Sequence, residues 1–526
     1  MTPNRRIFLN IVATYGRSLF SLCCGLFGSR WVLMALGQED FGLYGVVGGL
    51  VIFIGIINML LGSAVSRFYA VSVGAAEVAA DKSAAVEECR AWFSTAVLIH
   101  TVIPLVLMLV GEPIGEYAIR QGWIAVPAER LETCLWVFRF ACVSSFIGMV
   151  SVPFNAMYMA KQYIAELTIY GFITSAANVC FFYYMASHPA VWLGKYAAWM
   201  ACMSIAPTTI IALRAHFIFP ECRLVLREMW NWERMRKLLS YAGWQAFGIF
   251  GWFSRAQGTA ILLNRHAEFG PARNASMAIA NQVAGQTGSL AGAMMGAFQP
   301  AIANAYGAKD FERMRALAFR ASKFGSLLSA IFILPLALEL PTVLGIWLKD
   351  PPIYAAGLCW CILLHDLIDR TTSGHLLAIN ATEKIAFYQA VSGIALILTT
   401  PIAWLFICFT WGIYSVGWAI IATMLIVLVA RVWFARTIVG MSVRYWVKAV
   451  VLPLGFVFTL TFGSGFLPRF VMTVGICRVG VTTILCEAVL AALAWKFALD
   501  IQERAFIVSK ICQLKKKFHL GITNAN

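Results

Sequence analysis

Two arginines sit where charge is most costly. Arg17 lies near the middle of the first long apolar stretch, from Ile7 to about Leu36, and Arg255 lies well inside a later one. A guanidinium at the depth of hydrocarbon is expensive and ordinarily faces a hydrated path or a partner. These positions suggest handling of an anionic substrate. Asn10 stands seven residues before Arg17, nearly two helical turns, and shares its face. A second concentration of chemistry falls within one apolar segment: His365, Asp366, Asp369, Arg370 and His375. Carboxylates and histidines inside spans mark proton or sodium paths, and His365, Asp366, Asp369 and Arg370 are the candidates for ion coupling. Asp366 and Arg370, four residues apart, also have the spacing of an ion pair internal to one helix. Arg67, Asn264 and Gln282 complete the set of candidate binding residues. Arg67 lies near a span end, where snorkelling is the alternative, and the amides suit either sugar hydroxyls or bridges between helices.

The elements that must position these residues follow from composition. Of 526 residues, 60% are hydrophobic and 13% charged, which excludes a soluble globular domain and predicts a polytopic, all-α membrane protein. Crossing a core of roughly 30 Å takes about 20 helical residues, and that length recurs about fourteen times. The predicted spans fall near 8–34, 43–70, 92–111, 133–158, 164–186, 190–213, 238–264, 272–303, 322–346, 353–379, 386–408, 412–434, 446–467 and 471–496. The first has no A-x-A cleavage pattern and reads as an uncleaved helix. Between the sixth and seventh, Arg223, Arg227, Arg234 and Arg236 interleave with Leu224, Leu226, Trp230 and Trp232, as in a segment lying at an anionic lipid surface.

Positive charge collects in alternate loops: Arg5 and Arg6, Lys82 and Arg90, Lys161, the central connector, Lys309 to Lys323, Lys384, and Arg431 to Lys448. These loops are expected in the cytoplasm, with both termini, so the net charge of +16 is explained by topology and by a basic tail, Lys510 and Lys515 to Lys517, suited to anionic lipid. No soluble basic surface for nucleic acid is present. The fourteen cysteines outline neither a disulfide framework nor a zinc site, and Cys359-Trp360-Cys361 has the wrong spacing for a metal knuckle. There is no G-x-x-x-x-G-K-[ST] and no H-E-x-x-H, so neither an enzyme nor a cofactor or metal is expected.

The two halves resemble each other. Leu36-Gly37 before Phe41-Gly42 parallels Leu263-Asn264 before Phe269-Gly270, and Gly74 before Asp81-Lys82 parallels Gly307 before Lys309-Asp310. A repeat with an even number of crossings places both copies in the same direction, which predicts two parallel six-helix lobes around a central cavity, 1–225 and 226–440, with two additional helices and the tail in 441–526. Arg17 and Arg255 are expected to face that cavity. Gly288, Gly292 and Gly296 form a small-residue ladder suited to close helix approach, as do Gly45 and Gly49. Prolines 104, 153, 207, 300, 335, 401 and 453 fall within spans and predict bends.

At this point a family resemblance appears. Phe41-Gly-Leu-Tyr-Gly-Val-Val-Gly-Gly49 followed by Ser66-Arg67-Phe68 resembles the second span of Wzx-type bacterial polysaccharide flippases. Gln257-Gly258, Asn274-Ala275, Gln282-Val283, Gln299-Pro300, Leu344 to Leu348, and Ala381 to Ile385 with Tyr388-Gln389 follow that family's order. Glu383 and Met277 depart from it, standing where the pattern has glycine and arginine. The resemblance implies a fourteen-helix member of the multidrug, oligosaccharidyl-lipid and polysaccharide exporter superfamily in the bacterial inner membrane. Its implied substrate is an undecaprenyl-diphosphate-linked oligosaccharide, moved by alternating access for O-antigen, capsule or exopolysaccharide synthesis, with glycan polymerase and glycosyltransferases as pathway partners. The alternatives are a multidrug cation antiporter of the same superfamily and a flippase for peptidoglycan precursor. A cation site calls for carboxylates rather than Arg17 and Arg255, so charge sign separates the first alternative from the leading reading.

Overall fold

The computed structural model describes residues 51–505 apart from 123–125, 189, 266–269, 349–350 and 410–411, together with isolated positions between 16 and 48 and residue 508. The described elements are all helical. In hydrocarbon each backbone N–H and C=O needs an internal partner, and a helix supplies one within its own segment. The helices are α1 (Ile52–Val78), α2 (Lys82–Arg120), α3 (Leu131–Val150), α4 (Val152–Ala160), α5 (Ile164–Ser187), α6 (Leu193–Ile218), α7 (Trp232–Arg265), α8 (Gly270–Gly307), α9 (Phe311–Leu348), α10 (Ala355–Thr371), α11 (Ser373–Ala381), α12 (Ala386–Ile397), α13 (Thr399–Cys408), α14 (Tyr414–Val439), α15 (Leu452–Ser464) and α16 (Ile476–Leu493), joined by loops and short turns.

Ten stretches of described helix are long and apolar enough to cross a membrane. Large apolar side chains such as Ile173, Leu213, Val429 and Ile484 stand exposed along them, the surface that lipid requires. Helices α7 and α8 and the α10–α11 pair fall outside the ten. The first two are interrupted by Arg255, Asn281 and Gln282, and α10 ends at Thr371 before a non-helical Thr372. The least apolar helices are thus the ones that carry most of the candidate chemistry. Most of the first predicted span, with Asn10, lies outside the described residues, as do Gly45 and Gly49 of the second and the basic tail from Lys510.

The chain forms two compact units. One comprises Met1–Phe250, Gly292–Leu317 and Leu377–Ala390. Its core gathers Val32, Leu36, Phe138, Leu193 and Tyr196, and Asp81 starts α2 by accepting the backbone N–H groups of Ser83 and Ala84. In the same unit α1 and α8 approach through paired glycines. A side chain on Gly74 would strike the carbonyl of Asn304, and one on Gly307 would strike the carbonyl of Val71. The two glycines read as repeat marks in the sequence are therefore a reciprocal contact. The ladder expected at Gly288, Gly292 and Gly296 is not: among the described residues, nothing lies within 4 Å of a Cβ placed at any of them.

The other unit comprises Gly251–Ala291, Ala318–Leu376 and Val391–Asn526, with a core of Leu263, Leu344, Leu358, Val416 and Ile420. Close packing here falls on α7, where Gly251 meets the backbone of Gly393 and Gly258 meets Thr400. Helix α9 leaves helical geometry at Glu339, between Pro335 and Pro341, as proline's missing donor permits. Pro153 and Pro453 instead open new helical segments. The bend presents Glu339, 1% exposed, to Arg478 Nη2 at 2.8 Å. Glu487, the acidic residue on the same helix as Arg478, is exposed. Toward the other end of α9, Lys323 Nζ meets Glu503 at 2.9 Å. Two buried ion pairs therefore fasten the C-terminal segment to α9. Lys323, grouped by sequence with loop charge, is a buried structural residue.

Candidate functional site

The second unit brings α7, α8, α10 and α14 together around one polar chain. Arg255 Nη1 on α7 lies 3.1 Å from His365 Nε2. Nδ1 of the same imidazole lies 3.1 Å from Asp366 Oδ1, and the other carboxylate oxygen accepts from Thr287 Oγ1 on α8 at 2.9 Å. A guanidinium only donates, so Nε2 must accept, and the ring is the neutral tautomer with its proton on Nδ1, donated to Asp366. One turn further along α10, Asp369 Oδ1 accepts from Arg431 Nη1 on α14 at 2.6 Å, and Arg370 lies 3.6 Å from the other oxygen.

The charges are three guanidinium groups, two carboxylates and one neutral ring. Asp369 is flanked by Arg431 and Arg370, and Asp366 is satisfied by an N–H and a hydroxyl. Arg255 makes no ion pair among the described residues. The expected Asp366–Arg370 pair does not form: donors from α7 and α8 engage the aspartate by way of His365 and Thr287, and Arg370 turns to Asp369. His375, in the same titratable run, is buried against the rings of Phe319 and Trp446. Arg431, read as loop charge from the sequence, is 8% exposed within α14. Neither Arg431 nor Thr287 could be found by spacing, because their partners lie 62 and 79 residues away.

The first unit holds the other arginines. Arg67 on α1 is 2% exposed and does not snorkel. Its Nε and Nη2 both donate to the carbonyl of Ala381, the last residue of α11, at 3.1 and 3.0 Å. Tyr241 on α7 donates to the neighbouring carbonyl of Asn380 at 2.9 Å, and the guanidinium stands 5.3 Å from the centre of the tyrosine ring and 4.5 Å from that of Phe68. A cation at a helix C-terminus meets the negative end of its dipole, and here it also satisfies terminal carbonyls. A matching bond runs from Asn304 Nδ2 on α8 to the carbonyl of Ala160, the last residue of α4, at 3.1 Å.

Arg17 is exposed and lies over Gly171 of α5: a Cβ there would stand 2.6 Å from its Nε and 3.0 Å from its Cζ. No carboxylate pairs with it among the described residues. Gln282 is exposed on α8, whereas Asn10 and the side chain of Asn264 lie outside the described residues. Arg139 pairs with Glu112 and Glu116, and Lys195 sits 5.2 Å from the ring of Trp192, so both have structural partners.

Comparison with known proteins bears on the fold. Residues 260–360 match the MatE family model, and no curated protein matches the chain. A MATE solved in complex with MaD3S superposes with a TM-score of 0.65 at 15% identity, covering 84% of this chain and 97% of the other. An outward-facing multidrug resistance MATE family transporter of the MOP superfamily gives 0.64 at 16%, covering 84% and 96%. The fold is that of the MATE transporters. A MOP superfamily transporter from Pyrococcus furiosus, for which reversed polarity of the binding pocket suggests a different function, gives 0.64 at 16% over 84% and 96%. On this MATE-type fold the matched segment runs from α7 through α8 and α9 to the start of α10, and includes Thr287 and the α9 bend.

Proposed function

We propose that the chain is a membrane transporter for an anionic, phosphorylated lipid carrying an oligosaccharide, and that Arg255 is a phosphate contact. The observation that carries the reading is Arg255 itself, a guanidinium inside α7 that bonds to His365 and makes no ion pair among the described residues, in a cluster of three guanidinium groups and two carboxylates. A diphosphate brings oxygens in pairs and suits a guanidinium fork. Arg17, over Gly171 of the first unit and without an ion pair among the described residues, is a separate candidate contact for an anionic group, and exposed Gln282 is available to sugar hydroxyls. A cationic drug would meet one more guanidinium than carboxylates in the cluster around Arg255, which argues against the multidrug antiporter alternative. Undecaprenyl-diphosphate-linked units for surface polysaccharide are the leading cargo, and peptidoglycan precursor shares the same headgroup chemistry. The setting is the bacterial inner membrane, basic loops and both termini inside, with the exposed Trp230, Trp232, Arg223 and Arg227 of the connector on anionic lipid. Glycan polymerase and glycosyltransferases act before and after it.

His365 supplies the coupling. A second proton on the ring would set its Nε2–H against the donors of Arg255, so protonation and the Arg255–His365 bond exclude one another.

The test is reconstitution into liposomes with a fluorescent short-chain lipid diphosphate oligosaccharide and, separately, a cationic dye. Saturable translocation of the first and none of the second is expected; the reverse result rejects the reading. With Asp366→Asn, transport of the lipid should lose its dependence on an imposed proton gradient, and undiminished dependence would return Asp366 to a purely structural role.

A further inference from the structure

Arg67 spends only part of its hydrogen-bonding capacity. Nε and Nη2 are committed to Ala381, but Nη1 is buried with no partner. The residue makes no ion pair among the described residues, and Glu383, on the loop after α11, is exposed. A buried cation with one nitrogen unsatisfied is costly even with terminal carbonyls and two aromatic faces around it. Beside it lies a cavity of about 200 Å³ within the first unit, lined by Ser63, Ser66, Gln299 and Asn380 as well as Arg67. None of those four side chains donates a hydrogen bond to another described residue. Elsewhere, hydroxyls in the same kind of helix turn back on the carbonyl four residues earlier, as Thr95, Thr101 and Thr168 do. Here the donors are left unspent, around one guanidinium nitrogen and without a carboxylate in the lining.

We propose that this cavity is a binding site for a phosphate-class oxyanion, which supplies acceptors and a close negative charge to Arg67 Nη1 while the other nitrogens hold the end of α11. Nη1, two hydroxyls and two carboxamides match an ion that presents several acceptor oxygens and no donors of its own when fully ionised. A water occupies roughly 30 Å³ of liquid, so the space admits one such group with a few waters. The phosphate can be a free ion or a phospholipid headgroup, because the recognition chemistry is the same. The site is independent of the transported substrate, and its test does not use transport.

The full-length protein, delipidated in maltoside detergent, is titrated with inorganic phosphate or with short-chain phosphatidylglycerol at constant ionic strength, and its thermal midpoint is followed. Ligand binding to the folded state alone should raise the midpoint saturably, by about 2–4 °C at a hundredfold excess over Kd. Ser63→Leu fills the cavity without touching the Arg67–Ala381 bonds; it should keep the midpoint measured without phosphate and lose the shift. Arg67→Gln should lower the starting midpoint and also lose the shift. A rise with inorganic phosphate supports a free-ion site, and a rise with the lipid alone supports a headgroup site. An unsaturable rise, one equal in the wild type and Ser63→Leu, or no rise with either ligand overturns the proposal.

Discussion

Arg255→Gln separates electrostatics from folding at this site. Among the described residues the guanidinium makes one side-chain hydrogen bond, Nη1 to the His365 imidazole at 3.1 Å, so its removal should cost about 2 kcal/mol of stability at most and lower the thermal midpoint by a few degrees. The effect on an anionic ligand is larger. Two unit charges about 4 Å apart, at an effective dielectric near 20, interact by about 4 kcal/mol, roughly a thousandfold in affinity. Arg255→Lys keeps the charge but loses the fork, a charge-assisted bond worth about 1.5–3 kcal/mol, so it should fall about 10- to 100-fold. The assay is binding of a short-chain lipid diphosphate to purified protein, paired with liposome transport and a melting curve for each variant. Wild type, lysine and glutamine should rank in that order with similar midpoints. Glutamine binding within about threefold of wild type would refute the reasoning, and so would equal loss in the two variants, since the charge would then be irrelevant.

Other expectations are equally specific. Gly171→Ala places a methyl 2.6 Å from Arg17 Nε, which is flexible enough to move; stability should be unchanged or higher by up to about 1 kcal/mol, while transport drops several-fold, and undiminished transport would deny Arg17's seat any role. Glu339→Gln leaves Arg478 buried without its carboxylate and should cost about 3–5 kcal/mol by thermal unfolding, whereas Glu487→Gln, at an exposed position, should cost nothing measurable. Gly307→Ala drives a Cβ into the carbonyl of Val71, where only backbone could yield, and should sharply reduce folded protein by size-exclusion analysis; Gly288→Ala, facing open space, should not.

Composition and the recurrence of apolar stretches were enough to establish an all-helical membrane protein, and to single out Arg17, Arg255 and the His365–Arg370 run as charge within apolar stretches, because hydropathy is a local property of the chain. Helical spacing proved a weaker guide to partners. It offered Asp366 to Arg370, the nearest opposite charge on one face, but packing gave Asp366 to His365 and Thr287 and gave Asp369 to Arg431. Spacing rules reach one or two turns. The contacts that define this protein join residues 62, 79, 110 and 314 positions apart, in Asp369–Arg431, Thr287–Asp366, Arg255–His365 and Arg67–Ala381. Only the way the helices pack decides which charges pair directly, and among the described residues it gives Arg255 a histidine and no carboxylate.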